Sequence, residues 1–235
     1  MSNDIHLWKM PYPDDVEFIQ INSVIPPIPR QVSSAYKLVY FERGAKRFRY
    51  CGGGYAASSG DLLLIPPGES HEADITEEAD TLLRILQLPE AVFETLLPKN
   101  LTRQWLDNWV SPPFVSNPMV ISPFRQLHQK PDAFVSEPEQ QTRLLKLLEA
   151  LQTPHANCDI IGAVPRQESG SIRRLKQYID ANYAEEITLA KLAQITGLNA
   201  VYLCRAFTQA VGMLPHAYQV AARIDRARAF LYATF

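Results

Sequence analysis

The sequence predicts an α+β protein with two domains, an N-terminal β-barrel with following helices and a C-terminal segment built only of helices. Between Ala35 and Leu88, short alternating segments are separated by Gly, Pro and acidic turns, which is typical of a sandwich or barrel. From Pro89 onward, apolar residues recur at helical spacing. Residues 152–170 combine proline, glycine and polar residues without periodicity, which indicates a linker.

Composition excludes several classes of protein. The chain has 235 residues, of which 46% are apolar and 20% charged, as in an ordinary globular protein. Apolar runs such as Leu62–Pro67 are too short to span a bilayer, and the first thirty residues contain no export signal, so we expect no membrane partner. The three widely spaced cysteines, Cys51, Cys158 and Cys204, fit neither a disulfide framework nor a paired zinc site. A cytoplasmic location follows as a prediction.

Charge is distributed unevenly along the chain. The formal net charge is −2. Residues 171–235 carry 8 Lys/Arg against 4 Asp/Glu, whereas residues 1–170 carry 15 against 21. An acidic N-terminal part followed by a basic tail is consistent with nucleic-acid binding by the tail.

The first half of the chain is predicted to be mostly strand. Residues 1–30 are rich in proline, which predicts an extended arm that enters a first strand near Glu17–Ile21. Four further strands are predicted at Tyr36–Phe41, Phe48–Cys51, Gly60–Ile65 and Thr81–Leu88.

Helices follow the strands. Pro89–Leu97 and Leu101–Val110 are predicted helices, and Glu139–Leu151 carries leucines at helical spacing. That leucine stripe is either an internal core or the seam of a homodimer. The predicted divisions are a barrel over 1–110, a dimerisation or bridging region over 111–151, a linker over 152–170 and a DNA-binding segment over 171–235.

Leu189–Thr208 has the pattern of a helix-turn-helix. The motif requires a small residue where its helices cross, a residue that tolerates a left-handed backbone in the turn, and an apolar residue that holds the second helix. Ala193, Gly197 and Leu203 stand at these positions. Thr188 and Asn199 precede the two helices and can cap them.

The second helix would present one face to a DNA major groove. Because Leu203, Ala206 and Phe207 turn inward, the remaining positions face outward. Arg205 could pair bidentately with guanine. The alternative is a helical hairpin in a larger core, with Arg205 only solvated. The predicted DNA-contacting residues are Asn199, Val201, Cys204, Arg205 and Thr208.

Residues 187–231 resemble the first half of the AraC-type DNA-binding domain, including its Tyr-Leu-x-Arg-x-Phe pattern at Tyr202–Phe207. The resemblance implies a bacterial transcription regulator that reads DNA through two helix-turn-helix units joined by one long helix. Pro215 stands where that helix would begin. Its predicted apolar stripe comprises Ala217, Val220, Ala221, Ile224, Ala227 and Leu231.

The family pattern continues with a second recognition helix, whereas this sequence stops at Phe235. We therefore expect the second unit to be absent and DNA binding to be weak and sensitive to salt, because fewer phosphates are neutralised. An alternative hypothesis is a sensor and dimerisation partner that does not itself bind DNA.

Gly60–His71, GDLLLIPPGESH, resembles the second motif of the cupin barrels. Enzymatic cupins bind a metal through a His-x-His pair and a Glu of their first motif together with the His of this one. Tyr40–Tyr55, where the first motif would lie, contains no histidine. We therefore predict no metal, no cofactor and no catalytic residues, and a metal-dependent cupin enzyme is the disfavoured alternative.

The resemblance also places candidate effector-binding residues. In the arabinose-type sensors that this barrel resembles, a basic residue before the first long strand and residues of the last strand face the effector. Arg30 and Arg84 occupy the nearest positions here, with Tyr36 and His71 as neighbours. Guanidinium groups would suit a carboxylate or a polyol. The alternative is that both arginines are surface residues and that His71 closes a turn.

Overall fold

The structure is a computed structural model that describes residues 4–10, 13, 15–23, 28–50, 53–74, 81–96, 110–111, 114–115, 117–129, 136–151, 164–165 and 169–233. The strands are β1 Asp4–Lys9, β2 Glu17–Ser23, β3 Ile28–Gln31, β4 Ala35–Arg43, β5 Lys46–Tyr50, β6 Gly53–Ala57, β7 Leu62–Ile65, β8 His71–Asp74, β9 Thr81–Pro89, β10 Val110–Ser111, β11 Phe114–Val115 and β12 Val164–Pro165. The helices are α1 Glu90–Leu96, α2 Pro118–Leu127, α3 Glu137–Leu151, α4 Gly170–Ala181, α5 Leu189–Thr196, α6 Ala200–Val211 and α7 Pro215–Ala233.

Two antiparallel sheets form the N-terminal half. The larger has the order β1-β2-β9-β4-β7-β11, and the smaller has the order β3-β8-β5-β6. Phe41, Leu63 and Leu83 of the larger sheet belong to the same apolar cluster as Phe48 and Tyr50 of the smaller one. The sheets therefore enclose a shared interior, and the predicted α+β class is confirmed.

The larger sheet is buried on both faces. Alternate residues of β4 point to opposite sides, so Phe41 faces the interior while Tyr36 and Leu38 face helices α1 to α3. All four residues of β7 are buried for the same reason. This arrangement explains why β7 is a continuous apolar run in the sequence rather than an alternating one.

The leucine stripe of α3 is part of the core. Leu144, Leu147, Leu148 and Leu151 are at most 1% exposed and pack with the helix-facing side of the larger sheet. Leu145, on the opposite side of the helix, is 40% exposed. The internal-core interpretation of this stripe is confirmed.

The caps of the helix-turn-helix are formed as predicted. Thr188 Oγ1 accepts a hydrogen bond from the Lys191 amide at 3.2 Å, and Asn199 Oδ1 accepts one from the Tyr202 amide at 2.8 Å. Gly197 ends α5 with a φ of 70°, in the left-handed region. Local chemistry therefore determines both ends of the turn.

The predicted apolar stripe of α7 is wrong in most positions. Ala221 is buried, but Ala217, Val220, Ile224, Ala227 and Leu231 are exposed. The buried residues of the helix are instead Pro215, Tyr218, Gln219, Ala221 and Ala222. The helix contacts the other C-terminal helices mainly through its first turns, so its later apolar residues do not reach that core.

Several elements of the barrel were not predicted. The N-terminal arm contains β1, which pairs with β2 along its whole length. β3, β6 and β8 were also missed, since their sequences are short, proline-containing or rich in glycine. β11 pairs with β7, so the larger sheet includes residues beyond 110.

Two other predictions fall largely outside the described residues. Most of the predicted helix Leu101–Val110 and of the 152–170 linker is not described. Val110–Ser111 form a strand that pairs with Val164–Pro165, so Val110 is not helical. Gly170 belongs to α4, which Ser169 caps by accepting a hydrogen bond from the Ile172 amide. The domain boundaries themselves stay predictions.

No helix within the described part of the chain is both long and apolar enough to cross a bilayer.

Gly197→Ala is expected to lower the free energy of unfolding by about 1 kcal/mol, because a Cβ strains a left-handed residue. No atom lies within 4 Å of the position that this Cβ would take, so backbone strain is the whole effect. Gly170→Ala is the matched control, since Gly170 is equally open but helical. Urea unfolding of both variants checks the prediction, and equal stability of the two would contradict it.

Candidate functional site

The C-terminal helices pack against one end of the barrel. Val32, which lies between β3 and β4, belongs to the apolar cluster of the C-terminal helices, together with Ile172, Phe207 and Tyr218. Gly68 follows β7 at the same end with a φ of 69°. A Cβ on Gly68 would lie 2.8 Å from the Tyr218 hydroxyl, so glycine permits this close approach. We call this contact region the junction.

The junction holds the C-terminal end of α6. Ser70 donates a hydrogen bond through its hydroxyl to the Val211 carbonyl, and Arg30 donates one to the Gly212 carbonyl. The last carbonyls of a helix have no intrahelical partner, and a cation at this end is favoured by the helix dipole. Glu72 fixes the Arg30 side chain, with Nε to Oε2 at 3.1 Å and Nη2 to Oε1 at 2.9 Å. Residues of the barrel therefore cap the second helix of the helix-turn-helix.

A buried ion pair joins the two halves of the chain. Lys176 Nζ of α4 lies 2.8 Å from Glu69 Oε1, and the two side chains are 10% and 8% exposed. At this depth each charge depends on its partner, because water no longer solvates either group fully.

α7 lies beside the same end of the barrel. The Ser34 amide donates a hydrogen bond to Asp225 Oδ2 at 2.7 Å. Arg228 Nη1 donates one to Gln31 Oε1 at 2.8 Å. Gln31 is the cross-strand partner of His71, so α7 is tied to the strands that border the barrel interior.

This end of the interior is polar. Lys37 shares a face of β4 with Val39 and Phe41, which belong to the interior cluster, and Gln87 of β9 stands opposite it. His71 is buried and stands opposite Tyr50, another member of that cluster. Polar side chains therefore border the apolar interior next to α7.

Burial changes the ionisation of these groups. Burial lowers the pKa of Lys37 to about 8, Asp225 opposes this shift and Arg228 adds to it. Burial also lowers the pKa of His71 to about 3, with a further contribution from Lys37, so the imidazole is neutral near pH 7. His71 Nδ1 lies 3.0 Å from the Glu69 carbonyl oxygen, which can only accept, so Nδ1 carries the proton and donates it. Nε2 is left as an acceptor.

The four predicted effector-binding residues are not brought to one place. Arg30 and His71 lie on the neighbouring strands β3 and β8 at the junction. Tyr36 is buried on the other face of the larger sheet, where its ring stacks on Phe93 at 4.3 Å and burial raises its pKa. Arg84 pairs with Glu42 and bonds Gln20 at 3.3 Å. The effector role of these residues stays a prediction.

Sequence reasoning did not single out Lys37. The signal that could have identified it is its position in the alternating segment Ala35–Arg43. There Lys37 lies on the same face of the strand as the interior residues Val39 and Phe41. A lysine on the interior face of a strand is unusual enough to indicate a functional site.

The predicted DNA-contacting face is partly exposed. Val201 is 65% exposed and Arg205 is exposed, whereas Cys204 and Thr208 are half-buried. Asn199 uses its side-chain oxygen to cap α6. Tyr202, which is 57% exposed, was not among the predicted contacts although it lies on the same surface. Cys204 lines an apolar groove with Leu192 and Leu214.

Two other sequence predictions bear on metal and redox chemistry. In the part of the chain that the structure describes, no cluster of three His, Cys, Asp or Glu residues could hold a metal ion. Cys204 is a free thiol, whereas Cys51 and Cys158 fall outside the described residues.

Comparison with known proteins supports the resemblance found in the sequence. Residues 27–148 match the family described as the AraC-like ligand binding domain. The chain is similar to the uncharacterized HTH-type transcriptional regulator YbfI of Bacillus subtilis, with 23% identity over 98% of this chain and 83% of that protein. Its fold is similar to that of the AraC-like transcriptional activator CuxR, with a TM-score of 0.52 and 14% identity over 97% of this chain and 79% of that one.

Lys176→Met is expected to lower the free energy of unfolding by about 3 kcal/mol, because it leaves the Glu69 carboxylate buried without its cation. The double variant Lys176→Met/Glu69→Gln should recover part of the loss. Arg143→Met is the matched control: it breaks a more exposed ion pair with Glu139 within α3 and should cost less than about 1 kcal/mol. Chemical unfolding measures all three, and equal losses in the two single variants would contradict the prediction.

Raising the pH from 8 to 10.5 is expected to stabilise the folded protein through Lys37. Its pKa is about 8 in the folded state against 10.5 ordinarily, so in this window the unfolded chain binds more protons and stability rises with pH. The gain is roughly 2 kcal/mol, less than the full shift implies because the side chain is partly exposed. Lys37→Met should lack this gain in urea unfolding at both pH values, and an identical pH response of variant and wild type would exclude the assignment.

Proposed function

The chain belongs to the AraC-like ligand binding domain family and is a transcription regulator of the AraC type, and from this premise we propose that it binds DNA through α6 and responds to a small molecule bound by the barrel. The barrel within 1–110 is assigned to the effector and 171–235 to DNA. The cytoplasmic location stays part of this proposal.

The two faces of α6 carry the proposal for DNA binding. Leu203, Phe207 and Val211 are fully buried against the other C-terminal helices, so the register of the helix is fixed. Val201, Tyr202 and Arg205 are exposed on the opposite surface. A guanidinium presented from a rigid helix can pair bidentately with guanine, while an exposed valine can contact a thymine methyl group.

The junction supports a route from effector to DNA. Ser70 and Arg30 of the barrel hold the last carbonyls of α6, so displacement of β3 or β8 would change the position of that helix. An effector that favours one packing of the two domains shifts their equilibrium by its difference in affinity for the two states.

Homodimerisation through the 111–151 region is also part of the proposal. The four buried leucines of α3 are occupied by the core and cannot form the seam. The outer side of α3, including Leu145, is the remaining surface of that helix that could contact a second copy of the chain.

Arg205→Ala is expected to reduce sequence preference more than overall DNA affinity, since a base contact is worth roughly 1–3 kcal/mol of discrimination. Duplexes enriched from a random library by the wild-type chain, and unselected duplexes, serve as probes in a gel-shift series over several salt concentrations.

Arg47→Ala is the matched control, because it removes one exposed positive charge from β5, outside both the helix-turn-helix and the 111–151 region. Its preference for the enriched duplexes should equal that of the wild type. Failure of the wild-type chain to enrich any sequence, at low salt as well as high, would refute DNA reading by this chain.

A further inference from the structure

We propose that the polar end of the barrel interior, at the junction, is a site for a small hydroxycarboxylate, with Lys37 as its cation and α7 as its outer wall. This inference rests on the proposed function and specifies the ligand class of its sensor. The site combines residues of the barrel with residues of the DNA-binding segment.

Lys37 provides the first argument. Its ammonium group lies on the interior face of β4 without a hydrogen bond to any described residue, and of the charges of α7 near it Asp225 favours the ammonium while Arg228 opposes it. A partly buried cation without an acceptor is unfavourable, and a ligand carboxylate would supply that acceptor.

His71 and Gln87 provide the second argument. His71 donates through Nδ1 to the Glu69 carbonyl, so Nε2 can only accept. A carboxylate offers no proton for this nitrogen, whereas a hydroxyl group does. Gln87, directly opposite Lys37, offers an amide that both donates and accepts. A carboxylate next to a hydroxyl therefore matches the three groups together.

The rest of the interior limits the size of the ligand. Phe48, Tyr50 and Phe41 are buried, and Phe48 stacks on Tyr55 with ring centroids 5.6 Å apart. These side chains belong to one apolar cluster that both sheets share. The ligand consequently occupies only the polar end and remains close to α7.

α7 contributes charge on the outer side. Asp225 is held by the Ser34 amide just before β4, the strand of Lys37, and Arg228 by Gln31 of β3, the cross-strand partner of His71. An anion between Lys37 and Arg228 would contact both domains and strengthen their packing, and with it the barrel contacts to the end of α6.

The neighbouring cleft at the junction does not suit an anion. Glu90, Asp180 and Asp225 line it together with Arg226. Asp180 already accepts a hydrogen bond from the Tyr218 hydroxyl at 3.1 Å. Glu90 and Asp180 would repel an anion there, whereas Asp225 borders both places. Near Lys37 the ammonium and Arg228 together outweigh that one carboxylate, which favours the ligand at Lys37.

Calorimetric titration of the full chain tests the site with glycolate, lactate and malate. Lactate has two matched analogues: propionate lacks the hydroxyl, and 1,2-propanediol replaces the carboxylate by an uncharged group. We expect at least one hydroxycarboxylate to bind, and Lys37→Met to weaken it at least tenfold. Arg228→Gln should weaken it severalfold, and Lys146→Met, on α3, should leave it unchanged.

A second measurement needs no variant. The groups that face Lys37 are His71, which is neutral, and Asp225 and Arg228 of α7. Affinity of the wild type should therefore fall as the pH rises above about 8, because Lys37 loses its proton. Lys37→Met removes an ammonium that burial destabilises and that Asp225 only partly compensates, so the unliganded variant should unfold at the same temperature as the wild type or higher.

The outcomes separate this inference from the proposed function. Binding by none of the three hydroxycarboxylates, equal affinity for 1,2-propanediol, or unchanged affinity in Lys37→Met overturns the site. Unchanged affinity in Arg228→Gln overturns the role of α7. If the site fails while the enriched duplexes are still bound selectively, the regulator proposal stands. If carboxylates bind through Lys37 but no duplex is bound selectively, the ligand site stands and the DNA-binding proposal fails.

Discussion

The ion pair between Glu69 and Lys176 is the constraint on which the junction depends. It joins the turn after β7 to α4 at a depth where neither charge is well solvated, so separating the two halves of the chain would remove each charge's partner. Gly68 beside it permits the Tyr218 side chain to approach the same turn. Once these residues are in place, Ser70 and Arg30 reach the last carbonyls of α6. The position of α6, the proposed DNA-binding helix, is therefore determined partly by residues of the barrel.

The junction also determines which part of the barrel interior is polar. Its walls are aromatic and aliphatic over most of their area, but Lys37, Gln87 and His71 face the end that α7 borders. Burial keeps the imidazole of His71 neutral and lowers the pKa of Lys37. Polar groups at this position, bordered by a helix of the other domain, can couple a bound ligand to domain packing without any change inside the apolar part of the barrel.

Local signals in the sequence predicted the helix-turn-helix almost completely. Thr188 and Asn199 cap the helices, and Gly197 adopts the left-handed conformation, because each depends on only a few neighbouring residues. The long strands β4 and β9 were predicted for a similar reason, since alternation is visible within a single segment. By contrast, β1 and β8 are short strands whose pairing depends on partners far along the chain, and the sequence carries little signal for them.

The sequence by itself determined the family, the α+β class and the exposed position of Arg205, since motifs, periodicity and capping are properties of adjacent residues. Only the tertiary structure decided which predicted site residues meet. It placed Tyr36 against α1, engaged Arg30 with Glu72 and the end of α6, and directed Lys37 toward the junction. It also decided that the leucines of α3 are core and that most of the α7 stripe is exposed. The physical reason is that strand pairing and domain packing join residues distant in sequence, and only that packing sets which face of an element is buried.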